Sequence, residues 1–376
     1  MFKLLAVLPV LFLSFAMAWT QPANVTGMSF QLVALSRVPD GDAGNGSSYT
    51  VKDLRPLALA PSDYVHGVFV SIGTGQGGRR KVLALDTSAS TSWVMCEPCR
   101  PPLHQVGRLF SPAASPTFRG VHGNDPVCVP PYHRLHSANG GRSAVKSISG
   151  VAFGCAHATT GFYNEDILGG VLSLSPSPLP FLTQFGSRAG GRFSYCLPDP
   201  TTSRNPGGFI QFGIEVPSLP RDAHTTTLTA SASGYHLSLI GISLGNKRLD
   251  IDSHVFTRHG CSINPAETIT KIVEPAYLVV ARELVAQMNE LGSKQVKGPP
   301  GGPLVFNKIS RTVRTRLPSM VFHFADGGDM SRFLVEGHGS HRTVIGAAQQ
   351  VNARFIFNVA AGRLTFAEEL CSRDAA

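Results

Sequence analysis

Charge is scarce in this chain. Only 15% of its 376 residues are Asp, Glu, Lys or Arg, against 43% apolar. A disordered chain needs the opposite balance, so disorder over the whole length is excluded. Helical bundles, whose exposed faces are rich in Glu and Lys, are disfavoured on the same ground. Beyond the N-terminal residues no apolar run reaches the roughly 18 residues of a membrane-spanning helix, so no membrane span is expected. Cys96-Glu97-Pro98-Cys99 has no second CxxC to complete a zinc site, and His133-Arg134-Leu135-His136 lacks the acid of a zinc protease motif. Neither a metal nor another cofactor is therefore expected. The 33 Lys and Arg exceed the 24 Asp and Glu, giving +9. Their densest clusters, Arg79-Arg80-Lys81 and Arg311, Arg314, Arg316, are short and carry no interleaved aromatics. They read as solvated loops, and nucleic-acid binding has no motif to support it.

What is present is turn chemistry and an address. The 39 Gly and 27 Pro stand well above their usual combined share of about 12%, which fits a mostly β protein. Residues 1–18 read as a secretory signal peptide: Lys3, the apolar stretch Leu4 to Phe15, then Ala16-Met17-Ala18. The expected destination is the secretory pathway, either outside the cell or in a vacuole. Asn24-Val25-Thr26 and Asn45-Gly46-Ser47 are sequons on that route, whereas Asn264 is followed by Pro265 and is none. Seven cysteines in such a chain imply disulfides with one thiol left over, their connectivity open. Residues 19–61 are polar and Gly-rich around Asp40 to Ser48, and read as a leader or short prosegment remnant.

Two motifs invite enzymatic readings and fail on context. Gly73, Gly75 and Gly78 satisfy G-x-G-x-x-G, but the alternating run Lys81 to Asp86 follows where a dinucleotide site needs a helix. Gly241-Ile242-Ser243-Leu244-Gly245 spells G-x-S-x-G, but Gly245-Asn246 marks a hairpin turn rather than the strand–turn–helix of a nucleophile elbow. The two hairpins are copies of one pattern. Each half later carries two bulky apolar residues before a small one, Val171-Leu172-Ser173 and Val344-Ile345-Gly346. Weak internal duplication over about 150 to 180 residues points to two related β lobes, 62–215 and 216–376, around a central cleft. Pro275 fits the first turn of a helix running toward Gly292, with Val279, Val280, Leu284, Val285 and Met288 on one face.

Several blocks together resemble the plant pepsin-like aspartic endopeptidases, of the nepenthesin and chloroplast-nucleoid-binding-protease kind. They are Leu83-Ala84-Leu85-Asp86-Thr87-Ser88, Ser92-Trp93-Val94-Met95-Cys96, Val151-Ala152-Phe153-Gly154-Cys155, Arg192-Phe193-Ser194-Tyr195-Cys196, Leu317-Pro318-Ser319-Met320-Val321-Phe322-His323-Phe324 and Gly362-Arg363-Leu364-Thr365-Phe366. The resemblance implies a bilobal fold and a peptide cleft with one aspartate from each lobe, each in an Asp-Thr/Ser-Gly turn. The two acids share one proton: the charged one draws a proton from water while the protonated one donates to the peptide carbonyl.

The chain departs from that pattern where the chemistry sits. Asp86 and Thr87 are retained, but Ser88 replaces the turn glycine. The second turn reads Asn264-Pro265-Ala266, so its carboxylate, hydroxyl and glycine are all gone. Its register follows from Thr268, Thr270, Ile272 and Glu274-Pro275-Ala276-Tyr277, which continue as in relatives. Tyr132 is a flap candidate, with a core or surface aromatic the preferred reading; Ser173 stands for a family glycine, and Val305 for a cysteine. Two functions stay open: a weak or inactive peptidase retaining Asp86, or a pepsin-fold binding protein resembling the cereal xylanase inhibitors. The expected partner is a polypeptide substrate, or a protein or polysaccharide ligand in the cleft of a monomer.

Overall fold

Alternation at Val68 to Ile72 and at Lys81 to Asp86 builds an antiparallel pair. In a computed structural model, Tyr64–Ile72 lies against Arg79–Asp86 with Val68 opposite Leu83 and Val70 opposite Lys81. The structure describes residues 27–36, 64–73, 79–98, 109–116, 127–128, 133–137, 147–156, 168–177, 181–199, 207–218, 221–297, 304–306, 316–332 and 337–371. Residues 1–18, both sequons, Cys99 and Tyr132 lie outside the described residues. A strand follows the glycines at 73–78, so the dinucleotide reading fails in the structure as it does in the sequence.

Met28–Ser36, within the 19–61 segment expected to be a leader or short prosegment remnant, is a strand of the main sheet, so the compact part does not begin only at residue 62. Its second half pairs with Tyr64–Ile72, Leu32 opposite Val68, and its first half with Gly208–Phe212, Phe30 opposite Ile210. Phe30 and Leu32 are fully buried, and the Phe30 ring meets Phe181 and Phe212 edge-on at 5.7 and 6.1 Å. The polar stretch around Asp40 to Ser48 dominates the composition of residues 19–61 and masks this short apolar alternation.

Antiparallel pairing runs without a break from one half of the chain to the other. From Met28–Ser36 it passes through Gly208–Phe212 and Arg192–Cys196 to Ala353–Asn358, then Arg363–Glu368 and His224–Ser231. Aromatic side chains fill its buried face, with Phe193 and Phe357 stacked at 4.5 Å and Tyr195 on Phe355 at 5.6 Å. Buried Arg354 binds both carboxylate oxygens of Glu369, at 2.6 and 2.5 Å, and reaches Gln211 Oε1 at 2.5 Å. The Cys196–Cys371 disulfide closes a span of 175 residues over the same region. A second disulfide, Cys96–Cys155, holds the segment beyond the first turn, whereas Cys261 is a free buried thiol.

The second half also carries a four-stranded outer sheet, in the order Lys247–Arg248, Leu239–Leu244, Met320–Phe324, Asp329–Arg332. The helix Glu274–Glu290 starts with Pro275 in its first turn and buries Ala276, Val280, Leu284 and Met288, every fourth residue. Val279 and Val285, placed on the same face by the sequence, are half-buried at its margins. Among the described residues no helix is long and apolar enough to cross a membrane. The architecture is mostly β, with two related halves.

Candidate active site

The same local construction occurs twice. Arg79–Asp86 lies parallel to Gly170–Ser173, with Leu85 opposite Leu172 and Asp86 opposite Ser173. Cys261–Ile263 lies parallel to Thr343–Ile345, with Ile263 opposite Ile345. A turn follows each first strand at once, and it carries Asp86 in one half and Asn264 in the other. The faint sequence repeat, Val171-Leu172-Ser173 against Val344-Ile345-Gly346, is the second strand of each pair. Gly346 is packed so closely that a Cβ there would lie 2.7 Å from the Glu267 and Ile269 carbonyl oxygens. At the matching position Ser173 donates its hydroxyl to the Ala89 carbonyl.

The two turns meet. Asn264 Nδ2 donates to Asp86 Oδ1 at 3.1 Å and to Ser88 Oγ at 3.1 Å. Ser88 Oγ donates in turn to Asp86 Oδ1 at 2.9 Å, closing a ring of three side chains. Asp86 Oδ1 also receives the amides of Ser88 and Ala89, at 2.7 and 3.0 Å. On its other side Asn264 Oδ1 accepts from the amides of Thr87 at 3.2 Å and Ala266 at 3.0 Å. These partners fix the amide's orientation, with oxygen toward backbone donors and nitrogen toward the carboxylate. Asn264 is 6% exposed and Asp86 is half-buried.

Asp86, Thr87, Ser88 and Asn264, singled out in the sequence, therefore come together, and among the described residues the hydrogen-bond partners of Asp86 Oδ1 are all donors. The acid of the second loop, Glu267, lines a pocket with Ser88 and Asn264, but its carboxylate pairs with Lys271 at 2.6 Å. Thr87, fully buried, spans the two turns through Oγ1, which donates to Ile263 O at 2.6 Å. Among the described residues no group of three His, Cys, Asp or Glu side chains is placed to hold a metal ion.

Some neighbours of the site were not read from the sequence. Gly234, at φ 117°, leans on the first turn so closely that a Cβ would sit 2.9 Å from Thr87 O. Tyr235 beside it donates to Leu174 O at 2.8 Å, and burial pushes its phenol well above the ordinary range. Ser231 and Ser233 hydroxyls lie 2.8 and 3.1 Å from His236 Nε2. Partial burial, with Arg342 nearby, lowers the pKa of that imidazole. Arg342, Ser233, Ser262 and Ser88 line the pocket against Asn264. A hairpin tip brings these residues in, and scattered serines and histidines carry no spacing signal for it.

A family model described as xylanase inhibitor N-terminal matches residues 69–144 and 133–214, and one described as xylanase inhibitor C-terminal matches residues 234–368. Aspartyl protease family protein 2 of Arabidopsis thaliana is 25% identical over 355 residues, 81% of this chain and 71% of that protein. Aspartic proteinase nepenthesin-1 of Nepenthes gracilis is 25% identical over 333 residues, 76% of this chain and 74% of that one. Among solved structures, edgp superposes with TM-score 0.61 at 15% identity, covering 94% of this chain and 98% of its own. Basic 7S globulin from soybean does so with TM-score 0.58 at 19% identity, covering 83% and 92%. These two show a shared fold, and it is the pepsin-like bilobal one. Matched by the family models over both of its halves, the chain belongs to the plant pepsin-like aspartic protease family.

Proposed function

We propose that this member of the family has lost two-aspartate peptide hydrolysis, or retains only a trace of it, and acts by binding a polypeptide or polysaccharide ligand in its cleft. The observation that carries this reading is the bond from Asn264 Nδ2 to Asp86 Oδ1 at 3.1 Å. Hydrolysis requires one group to take a proton from water and a second to deliver one to the peptide carbonyl. An asparagine amide donates a hydrogen bond at the second position but has no proton to release. Loss of one acid–base partner alone costs about 100- to 10,000-fold. Ser88 adds to the loss, since its hydroxyl bridges Asp86 and Asn264 at 2.9 and 3.1 Å, on the atoms that would hold a water.

Binding needs the cleft and not the dyad. The names of the matching family models, xylanase inhibitor N-terminal and C-terminal, favour a protein ligand, because that family admits members that act on another enzyme. Two disulfides together with the signal-like N-terminus favour the secretory route, ending outside the cell or in a vacuole, with glycans at Asn24 and Asn45. The test is incubation of oxidised, refolded mature protein with a denatured protein substrate across acidic pH, with and without pepstatin. No pepstatin-sensitive cleavage is expected. Cleavage that pepstatin blocks and Asp86→Ala abolishes would overturn the reading.

A further inference from the structure

We propose that Ser243, His323 and Asp329 form a second site, an acyl-transfer site on the outer sheet that hydrolyses short-chain activated esters. Ser243 Oγ lies 2.7 Å from His323 Nε2, and His323 Nδ1 lies 2.8 Å from Asp329 Oδ1. The sequence motif around Ser243 is a hairpin in backbone terms, as its context predicts: Leu239–Leu244 turns at Gly245, φ 59°, into Lys247–Arg248. The side chains nevertheless make the relay that the motif is known for.

Strand register explains how. Ser243 is opposite Val321 and Gly241 is opposite His323, so Ser243 and His323 are diagonal neighbours on one face. His323 is directly opposite Asp329 on the next strand. Alternation sends Ile242, Leu244, Phe322 and Phe324 to the other face, where all are buried. The triad is thus held by three paired strands rather than by loops, and it shares no residue with the cleft.

The polarity of the relay follows from its partners. Asp329 can only accept, so Nδ1 carries the imidazole proton and Nε2 presents a lone pair to the Ser243 hydroxyl. In the reaction Ser243 Oγ bonds to the ester carbonyl carbon as its proton passes to His323 Nε2. The carbon–oxygen bond to the alcohol then breaks, and the alcohol leaves with that proton. Water, deprotonated by the same nitrogen, bonds to the acyl carbon, and Ser243 departs with the proton restored. Asp329 is the positioning residue, holding the tautomer and the ring.

Two features set the substrate class. Ser243 is 7% exposed, while the His323 and Asp329 side chains are 17% and 50% exposed, so only a slim acyl group reaches the hydroxyl from the imidazole side. The exposed Arg248 is paired in register with Ser243, and its guanidinium lies against Gly241, where a Cβ would be 2.2 Å from Nη2. A cation on this face supports an oxyanion, in place of the backbone amides that the sheet has consumed. Esters with good leaving groups fit that arrangement.

The experiment treats full-length mature protein, disulfides intact, with a fluorophosphonate probe and with p-nitrophenyl acetate. A covalent adduct on Ser243, located by peptide mass mapping and abolished by heat denaturation, is expected. His323→Gln should slow labelling and ester turnover about 100-fold. Asp329→Asn should slow both, and Asp329→Glu should recover part of the rate, which a purely structural role would not produce. Absence of a Ser243 adduct on folded wild-type protein overturns the proposal, as does labelling of folded His323→Gln at the wild-type rate. If a variant fails to fold, the wild-type mapping decides alone.

Discussion

Thr87 Oγ1 in the first turn donates to Ile263 O in the second at 2.6 Å, and Pro265, in the place that matches Thr87, has neither hydroxyl nor amide to return the bond. The clasp between the two turns is therefore one-sided at this position. Thr87→Val keeps the volume but leaves Ile263 O buried without that donor. The expected loss is about 1–3 kcal/mol. A lowered urea midpoint with unchanged slope would report it, and an unchanged midpoint would mean that the other bonds between the turns carry the contact.

Asn264→Asp tests whether one carboxylate restores the chemistry. The single change is expected to leave peptide cleavage at background, because Pro265 and Ala266 still shape the turn. It also places two acids against each other, which cannot both ionise comfortably. The folded variant then holds a proton that its unfolded chain releases above about pH 4. A raised folded pKa gives stability that is present at low pH and lost as pH rises. Thermal melts should show the variant about 1–3 kcal/mol less stable than wild type at neutral pH, the gap narrowing on acidification. Pepstatin-sensitive cleavage by the single variant would show that the turn needs no repair.

Local pattern carried much of this and distance carried the rest. Strand alternation announced Tyr64–Ile72 and Arg79–Asp86, and the residues after Ala266 located the second turn, so Asp86 and Asn264 were legible as a pair. Their contact was not, nor was the bridging role of Ser88, since hydrogen bonds between turns leave no periodicity. Met28–Ser36 was hidden by its polar surroundings. Cys196–Cys371, at a separation of 175 residues, and the pairing of Phe193 with Phe357 arise from tertiary assembly alone. The hairpin turn after Ser243 is local and legible in Gly245-Asn246, whereas its diagonal contact with His323 comes from another strand 80 residues away and leaves no local signal.

His66 predicts the acid limb of stability. It is buried at 2% exposure, its Nε2 donates to Pro198 O at 2.9 Å, and Nδ1 has no partner among the described residues. Burial lowers its pKa, opposed by the Pro198 carbonyl and the charge of Asp199. The unfolded chain takes up this proton first, so stability is flat above about pH 6.5 and falls below it, down to the depressed folded value. The slope approaches about 1.4 kcal/mol per pH unit inside that window. His66→Gln, which can keep the donor to Pro198, should flatten the fall. Melting temperatures that track wild type through the window would assign the acid limb to other groups.

Cys261 offers a readout of the second turn. It opens the strand that ends at Ile263, directly before Asn264, and it is a free thiol at 2% exposure. Burial pushes its pKa up to about 12, so the reactive thiolate is scarce at neutral pH. Maleimide should therefore modify Cys261 only when the strand opens, and peptide-resolved mass spectrometry will locate the label. In wild type the rate should follow denaturant as global unfolding does. Thr87→Val removes the clasp on Ile263, so labelling of Cys261 should accelerate in proportion to the stability lost. Fast labelling of native wild type would mean instead that this strand opens on its own, and that Asn264 is held against Asp86 less firmly than its bonds imply.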